Sequence, residues 1–282
     1  MSDSPLLDAI LAPGALSVLF QPIFDVSSDG VRLHAVESLT RGPCGTNAER
    51  TDVLFDYIRR KREEPRVDRA CVTAALDAAR QLPGHLRLAV NVHASTLGRD
   101  PEFVVFFADA AESRGFKLSD LILEIVEHAP YWDGPAFLNA LDGLRQIGVA
   151  IALDDVGLGQ SNYRMILDCR PNYFKVDRYL VHGAHADFYR QAVLESVSRL
   201  AEKFGARVVA EGVEDEADLA EMTQLGIRLI QGHWFSPAVP ASAIAEAATR
   251  GGDRWRRWHS EVHPQPAHVK DIRLVTTGST TS

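Results

Sequence analysis

Short apolar runs rich in β-branched residues recur along the chain, and longer stretches with apolar residues at helical spacing fill the gaps between them. The first pattern signals strands and the second helices. Strands are predicted over 17–25, 32–39, 86–92, 121–126, 149–154, 173–177, 207–211 and 228–231. The clearest helices are predicted over 52–61, 66–81, 101–114, 135–146, 187–204 and 214–225. In the 187–204 segment Ala192, Val193, Val197 and Leu200 recur at helical intervals and form the expected core stripe. Eight strands alternating with helices predict an α/β fold, the TIM-type (β/α)8 barrel. The first two strands are separated only by Ser27-Ser28-Asp29-Gly30, a hairpin turn rather than a helical crossover. The barrel is therefore expected to have an antiparallel first strand, with Gln21 on the rim where the other strands end.

Composition narrows the partners. The 282 residues carry a formal net charge of −8, with 46% hydrophobic and 24% charged residues. An acidic surface of this kind repels DNA or RNA polymers and the acidic membrane face, neither of which is expected as a partner, and leaves phosphates to be bound locally through metal ions or a few Arg and Lys. No apolar run approaches the roughly 20 residues of a membrane span. Residues 1–20 have no Lys or Arg ahead of Leu6, Leu7, Ile10 and Leu11, and Asp8, Pro13 and Gly14 interrupt that run, unlike a signal peptide. Cys44, Cys71 and Cys169 are far apart and form no close metal-ligand pair. The expectation is a cytoplasmic protein without membrane insertion, folded as one barrel domain over 1–250. A C-terminal extension over 251–282, polar at its end, is expected to be partly disordered.

The chemistry lies in how the strands end. They finish on Glu37, Asn91, Glu124, the pair Asp154-Asp155, Lys175 with Asp177, Glu211 and Gln231. In a TIM barrel those ends converge on the face where active sites are built. Lys175 and Asp177, two apart on a strand, project to the same side. A polar residue commonly marks where a strand meets solvent, but repetition at strand after strand points to a shared site. Two carboxylates 4 Å apart repel by roughly 4 kcal/mol at an effective dielectric near 20. Six acids, Glu37, Glu124, Asp154, Asp155, Asp177 and Glu211, therefore need cations to share a pocket, and Lys175 offsets one charge. Oxygen donors without Cys or His suit Mg2+ or Mn2+ rather than zinc. The residues alone lead to a metal-dependent phosphoryl or enolate enzyme.

The residues around these positions resemble a known family. Phe20-Gln21-Pro22-Ile23, Glu37-Ser38-Leu39 with Arg41, and Asn91 after Leu88-Ala89-Val90 are similar to the opening motifs of EAL domains. Leu123-Glu124-Ile125-Val126-Glu127, Ala152-Leu153-Asp154-Asp155, Phe174-Lys175-Val176-Asp177, Ala210-Glu211-Gly212-Val213-Glu214 and Gln231-Gly232 continue the likeness in order. It runs from about Phe20 to Pro240. The resemblance implies a metal-dependent phosphodiesterase that hydrolyses cyclic di-GMP to linear pGpG with two Mg2+ or Mn2+ ions. It implies metal ligands at Glu37, Asn91, Glu124, Asp154 and Asp155, with Glu211 as a further ligand or base. Lys175 resembles the lysine that positions the nucleophilic water, and Asp177 and Gln231 resemble its supporting residues. Gln21, Leu39 and Arg41 match positions that hold the dinucleotide, Arg41 at a phosphate. Glu127 matches the glutamate that steadies the loop after strand five.

That loop departs from the family pattern. It reads Asp154-Asp155-Val156-Gly157-Leu158-Gly159-Gln160-Ser161, with Val156 for Phe, Leu158 for a small residue and Gln160 for an aromatic. In the family the loop is linked to metal occupancy, substrate binding and dimer contacts, so the departure bears on turnover and on a homodimer. It keeps a second reading open: a weak or inactive EAL domain acting as a cyclic di-GMP receptor or protein-binding regulator with a protein partner. Other features read plainly. Gly157 and Gly159 lack the third glycine of a dinucleotide fingerprint. Gly251-Gly252-Asp253 reads as a helix-ending pair. The charges from Arg59 to Glu64 read as a solvated helix end. His93, His128 and His233 read as lining of polar loops, and Trp255 and Trp258 as a cap on the barrel.

Overall fold

The structure, a computed structural model, describes residues 5–27, 30–84, 86–126, 134–158 and 163–249. The expectations for Glu127, His128, Gly159, Gln160, Ser161, the tryptophans and the 251–282 extension lie outside these residues. Eight strands close into a barrel: β1 (Ser17–Ser27), β2 (Gly30–Arg41), β3 (Arg87–His93), β4 (Leu121–Val126), β5 (Ala150–Leu153), β6 (Tyr173–Val176), β7 (Arg207–Ala210) and β8 (Leu229–Ile230). β1 runs antiparallel to both its neighbours, β2 and β8, and every other neighbouring pair is parallel. The register pairs Gln21 with Glu37, placing β1's early residues on the rim where β2 ends. The predicted reversal is thus observed.

The helices α1 (Pro5–Leu11), α2 (Thr51–Lys61), α3 (Glu64–Ala79), α4 (Ala94–Arg99), α5 (Phe103–Glu112), α6 (Gly134–Gln146), α7 (Tyr163–Cys169), α8 (Arg178–Val181), α9 (Phe188–Lys203), α10 (Glu216–Gln224) and α11 (Ala241–Thr249) surround the strands. Aspartates start three of them: the carboxylates of Asp177, Asp187 and Asp215 accept backbone N–H bonds in the first turns of α8, α9 and α10. Such caps satisfy donors that the helix itself leaves unpaired. The predicted stripe on α9 needs correction. Leu194, Val197 and Ala201 are its buried residues, while Ala192 is exposed and Val193 is 39% exposed. Val193 and Leu194 are adjacent and each fits a helical repeat, so packing against the barrel decides between them, and it selects the larger leucine. No described helix is long and apolar enough to cross a membrane.

Inside the barrel, Ile23, Ala35, Ala89, Ile122, Ala152, Tyr173, Val209 and Leu229 form a separate apolar layer. A larger core of Phe, Leu, Ile and Val lies between the strands and the helices. The inner layer decides where the chemistry sits.

Candidate active site

Side chains on a strand alternate between faces, so the residue two further on points the same way. Two residues on from Ala35, Ala89, Ile122, Ala152, Tyr173, Val209 and Leu229 stand Glu37, Asn91, Glu124, Asp154, Lys175, Glu211 and Gln231. On the reversed strand the matching step is backwards, from Ile23 to Gln21. The polar set is therefore the next inward layer above an apolar plug. Asp154, Glu211 and Gln231 each lie one residue past the end of their strand, their backbone N–H groups still bonded to the neighbouring strand.

Lys175 is the hub. Its Nζ lies 3.1 Å from Glu37 Oε2, 2.5 Å from Glu211 Oε1 and 3.6 Å from Asp154 Oδ1, and it donates to Glu124 Oε1. The lysine is 2% exposed, Glu37 5% and Glu124 0%. Glu37 also accepts from Asn91 Nδ2 at 2.9 Å and from Gln231 Nε2 at 2.7 Å. Gln231 Nε2 also donates to Gln21 Oε1 at 3.2 Å, and Gln21 Nε2 to Ser236 O at 3.3 Å. Ser38 ties β2 to β3 beside the site, its hydroxyl donating to Ala89 O at 2.9 Å.

Four carboxylates face one ammonium, and protonation responds. Burial and the charge of Glu37 push Glu124 well above the usual carboxylate range, against the pull of Lys175. Burial raises Asp154 as well, and pushes Glu211 up to about 8. Burial acts in the same sense on Glu37, but the Lys175 charge and the bonds from Asn91 and Gln231 outweigh it and hold that carboxyl low. Burial would lower Lys175, yet Asp154, Glu124, Glu211 and Glu37 together raise it well above its ordinary value. Asp155 is pushed to about 6 by burial, then by Asp154 and Asp177. Its backbone is left-handed, φ 52°, a strained state for a residue with a side chain.

The remaining predicted residues are placed less centrally. Asp177 accepts from Tyr179 N at 2.7 Å and so caps α8. Arg41 is exposed at the end of β2. Leu39 lines a cavity of about 490 Å3 that opens beside the carboxylates, with Glu37, Asn91, Asp154, Phe55 and His93 also on its wall. Asp68, on the wall of that cavity, is absent from the sequence-based set. It is 1% exposed and accepts from His93 N at 2.9 Å, from Thr96 Oγ1 at 2.5 Å, and bonds His93 Nδ1 at 2.9 Å. Burial acts to lower the His93 imidazole pKa, but Asp68 prevails and raises it.

The residues fit a bound cation. One carboxylate oxygen from each of Glu37, Glu124 and Glu211 fits within 4.8 Å of the others. Among the described residues, Glu124 Oε2 and Gln231 Oε1 are buried without a hydrogen-bond partner. Buried acceptors of this kind are costly unless something positive meets them.

Comparison with known proteins gives a family. The model of the EAL domain matches residues 5–238. The cyclic di-GMP phosphodiesterase NbdA of Pseudomonas aeruginosa is 34% identical over 167 residues, 58% of this chain and 21% of that protein. The cyclic di-GMP phosphodiesterase PdeL of Escherichia coli is 29% identical over 175 residues, 61% of this chain and 47% of that protein. The matched segment thus spans less than half the length of either relative. Among solved structures, the Klebsiella pneumoniae BlrP1 calcium/cy-diGMP complex superposes with a TM-score of 0.72 at 28% identity, covering 86% of this chain and 59% of that one. A standalone EAL protein of Vibrio cholerae O395, in its c-di-GMP bound form, gives a TM-score of 0.70 at 24% identity, covering 80% and 93%. At that identity the second likeness concerns the fold alone.

Proposed function

The chain belongs to the EAL domain family, and from that premise we propose that it is a metal-dependent phosphodiesterase that hydrolyses cyclic di-GMP to linear pGpG. The observation that carries the proposal is the meeting of Glu37, Glu124, Asp154 and Glu211 on Lys175 at the mouth of the barrel. The names of the relatives and the cy-diGMP complex of BlrP1 support the substrate.

Glu37, Asn91, Glu124, Asp154 and Asp155 would hold two ions, Mg2+ or Mn2+. When bound, such ions supply positive charge to the phosphodiester and to the attacking water. The protein's own groups do the rest. Glu211, when ionised, accepts the proton of the attacking water. Lys175 would position the attacking water with its ammonium, whose charge also offsets the negative charge that develops there. Water attacks phosphorus, the bond to the 3′ oxygen breaks, and that oxygen takes a proton to leave pGpG with a 5′ phosphate. Gln231 keeps Glu37 oriented while reaching Gln21. Asp177 acts through α8, whose first turn it fixes. Gln21 and Leu39 would contact the dinucleotide, and Arg41 would reach a phosphate from the exposed rim. Glu127 would steady the loop after β5.

The test uses purified protein with cyclic di-GMP and Mg2+ or Mn2+, beside an Asp154→Asn control. Metal-dependent pGpG that vanishes in the control supports the enzyme. Tight binding without product assigns the chain instead to the receptor class, in line with Val156, Leu158 and Gln160 in the loop after β5. Neither binding nor product overturns both.

A further inference from the structure

The segments that leave β6 and β7 meet a second time, away from the carboxylate ring. His182 follows α8, Gly183 takes the left-handed conformation with φ 73°, and a tight turn over Ala184–Ala186 carries His185. Both imidazoles thereby approach the start of α10. There Asp215 caps the helix and Asp218, two residues inside α10, is 0% exposed. His182 Nδ1 lies 3.0 Å from Asp218 Oδ2, and His185 Nδ1 lies 3.8 Å from Asp218 Oδ1. Gly183 N donates to Asp218 Oδ1 at 2.9 Å, and Asp218 N donates to Asp215 Oδ1 at 2.8 Å. Among the described residues, His182, Asp215 and Asp218 each offer a ligand atom within 4.8 Å of the other two.

We propose that this turn is a binding site for a borderline transition-metal dication, Zn2+ foremost, ligated by His182, Asp215 and Asp218 with His185 beside them. Zinc bonds to nitrogen and oxygen of roughly 2.0 Å place neighbouring tetrahedral ligands roughly 3.3 Å apart. His182 Nδ1 and Asp218 Oδ2, 3.0 Å apart, lie close to that spacing, and the ligand atoms of His182, Asp215 and Asp218 lie within 4.8 Å of one another. It would replace the hydrogen bond between His182 and Asp218. Imidazole beside carboxylate selects zinc-like ions, whereas the all-oxygen ring suits Mg2+ or Mn2+. The backbone donors from Gly183 and Asp218 orient the carboxylates, as outer bonds do around metal ligands. The side chains of His182 and His185 are 47% and 43% exposed, so the ion and a completing water can enter from solvent. Two residues separate Lys175 from the first residue of α8, and three separate Glu211 from Asp215. The ion would therefore clamp together the two segments that leave the hub and its base.

The experiment counts zinc and does not depend on phosphodiesterase activity. The full chain, stripped with EDTA, is dialysed against Zn2+ in the presence of excess Mg2+, which competes for the carboxylate ring. A His182→Gln/His185→Gln variant is treated alongside. The wild type is expected to hold one more zinc ion per chain than the variant and to melt at a higher temperature with Zn2+. The variant is expected to need at least ~10-fold more zinc for any residual binding. Equal zinc content and equal melting shifts in the two proteins would overturn the proposal and leave a plain His–Asp hydrogen bond. If the variant fails to fold, the wild type decides by NMR. Its His182 and His185 imidazole 1H–15N resonances are expected to move on addition of Zn2+, and unmoved resonances overturn the site.

Discussion

Glu124 and Lys175 form a lopsided pair. The ammonium donates to Glu124 Oε1, while Oε2, also buried, accepts from no described residue. Replacing this acid by its amide should separate folding from function. Glu124→Gln removes the acid that burial and Glu37 already push toward protonation. Metal-free stability is expected to rise by about 1–2 kcal/mol, the scale of a relieved buried acceptor. The proposed hydrolysis of cyclic di-GMP is expected to fall at least ~100-fold. Denaturant melts in EDTA and a pGpG assay check the two halves. Parallel losses in both would contradict the ring's dependence on a cation.

The same crowding predicts a slope of stability with pH. Glu211 titrates near 8 in the fold against 4.5 as its ordinary value, and Asp155 near 6 against 3.8. Between those limits these two carboxyls bind more protons in the fold than in the unfolded chain, which outweighs the opposite pull of His34, lowered by burial to about 4, so stability falls as pH rises. Metal-free protein should thus lose melting temperature from about pH 5 to pH 8. Mg2+ or Mn2+ favours the ionised carboxylates and should flatten or reverse the trend. A pH series of melts with and without metal measures it.

Gly212 links Glu211 to Arg178. Its φ is +66°, and a Cβ there would lie 2.4 Å from Arg178 Cβ. Arg178 in turn bonds Glu214 at 2.9 Å. Gly212→Ala combines backbone strain with a clash that a flexible side-chain tip cannot absorb, and is expected to cost about 1–3 kcal/mol. Urea denaturation tests this. A loss below 0.5 kcal/mol, roughly the effect of an ordinary surface change, would refute it.

Asp68 should matter more than its distance from the ring suggests. Asp68→Ala strips His93 N, His93 Nδ1 and Thr96 Oγ1 of their acceptor in a buried place. The loss is expected to reach about 3–5 kcal/mol. With Asp68 gone, burial dominates and the His93 imidazole pKa should drop below its ordinary 6.5. NMR titration reads the second effect in whatever fraction stays folded.

The ring was readable because two periodicities coincide. An apolar residue followed two positions later by a polar one recurs from Ala35 and Glu37 to Leu229 and Gln231, and a barrel turns that repeat into a layer. Asp68 gave no such signal. It sits in α3 and finds His93 and Thr96 across 25 and 28 residues of sequence, a meeting made only by tertiary packing. Short helices such as α4 and α8 were missed because so few residues carry no detectable period. On α9 the choice between Val193 and Leu194 lay with the surface that received the helix. Asp177 was legible as a polar strand end, but its bond to Tyr179 N follows from a chain turn that strand alternation does not describe.

The reversed β1 changes where force can enter the molecule. In an all-parallel barrel the first strand begins at the floor, far from the catalytic mouth. Here Ser17 pairs with Arg41 at the mouth itself, and Gln21 follows in the same strand, bonded to Gln231, which grips Glu37. A pull or twist on the segment ahead of Ser17 therefore arrives at the carboxylate ring through two glutamines, without first deforming the apolar plug beneath.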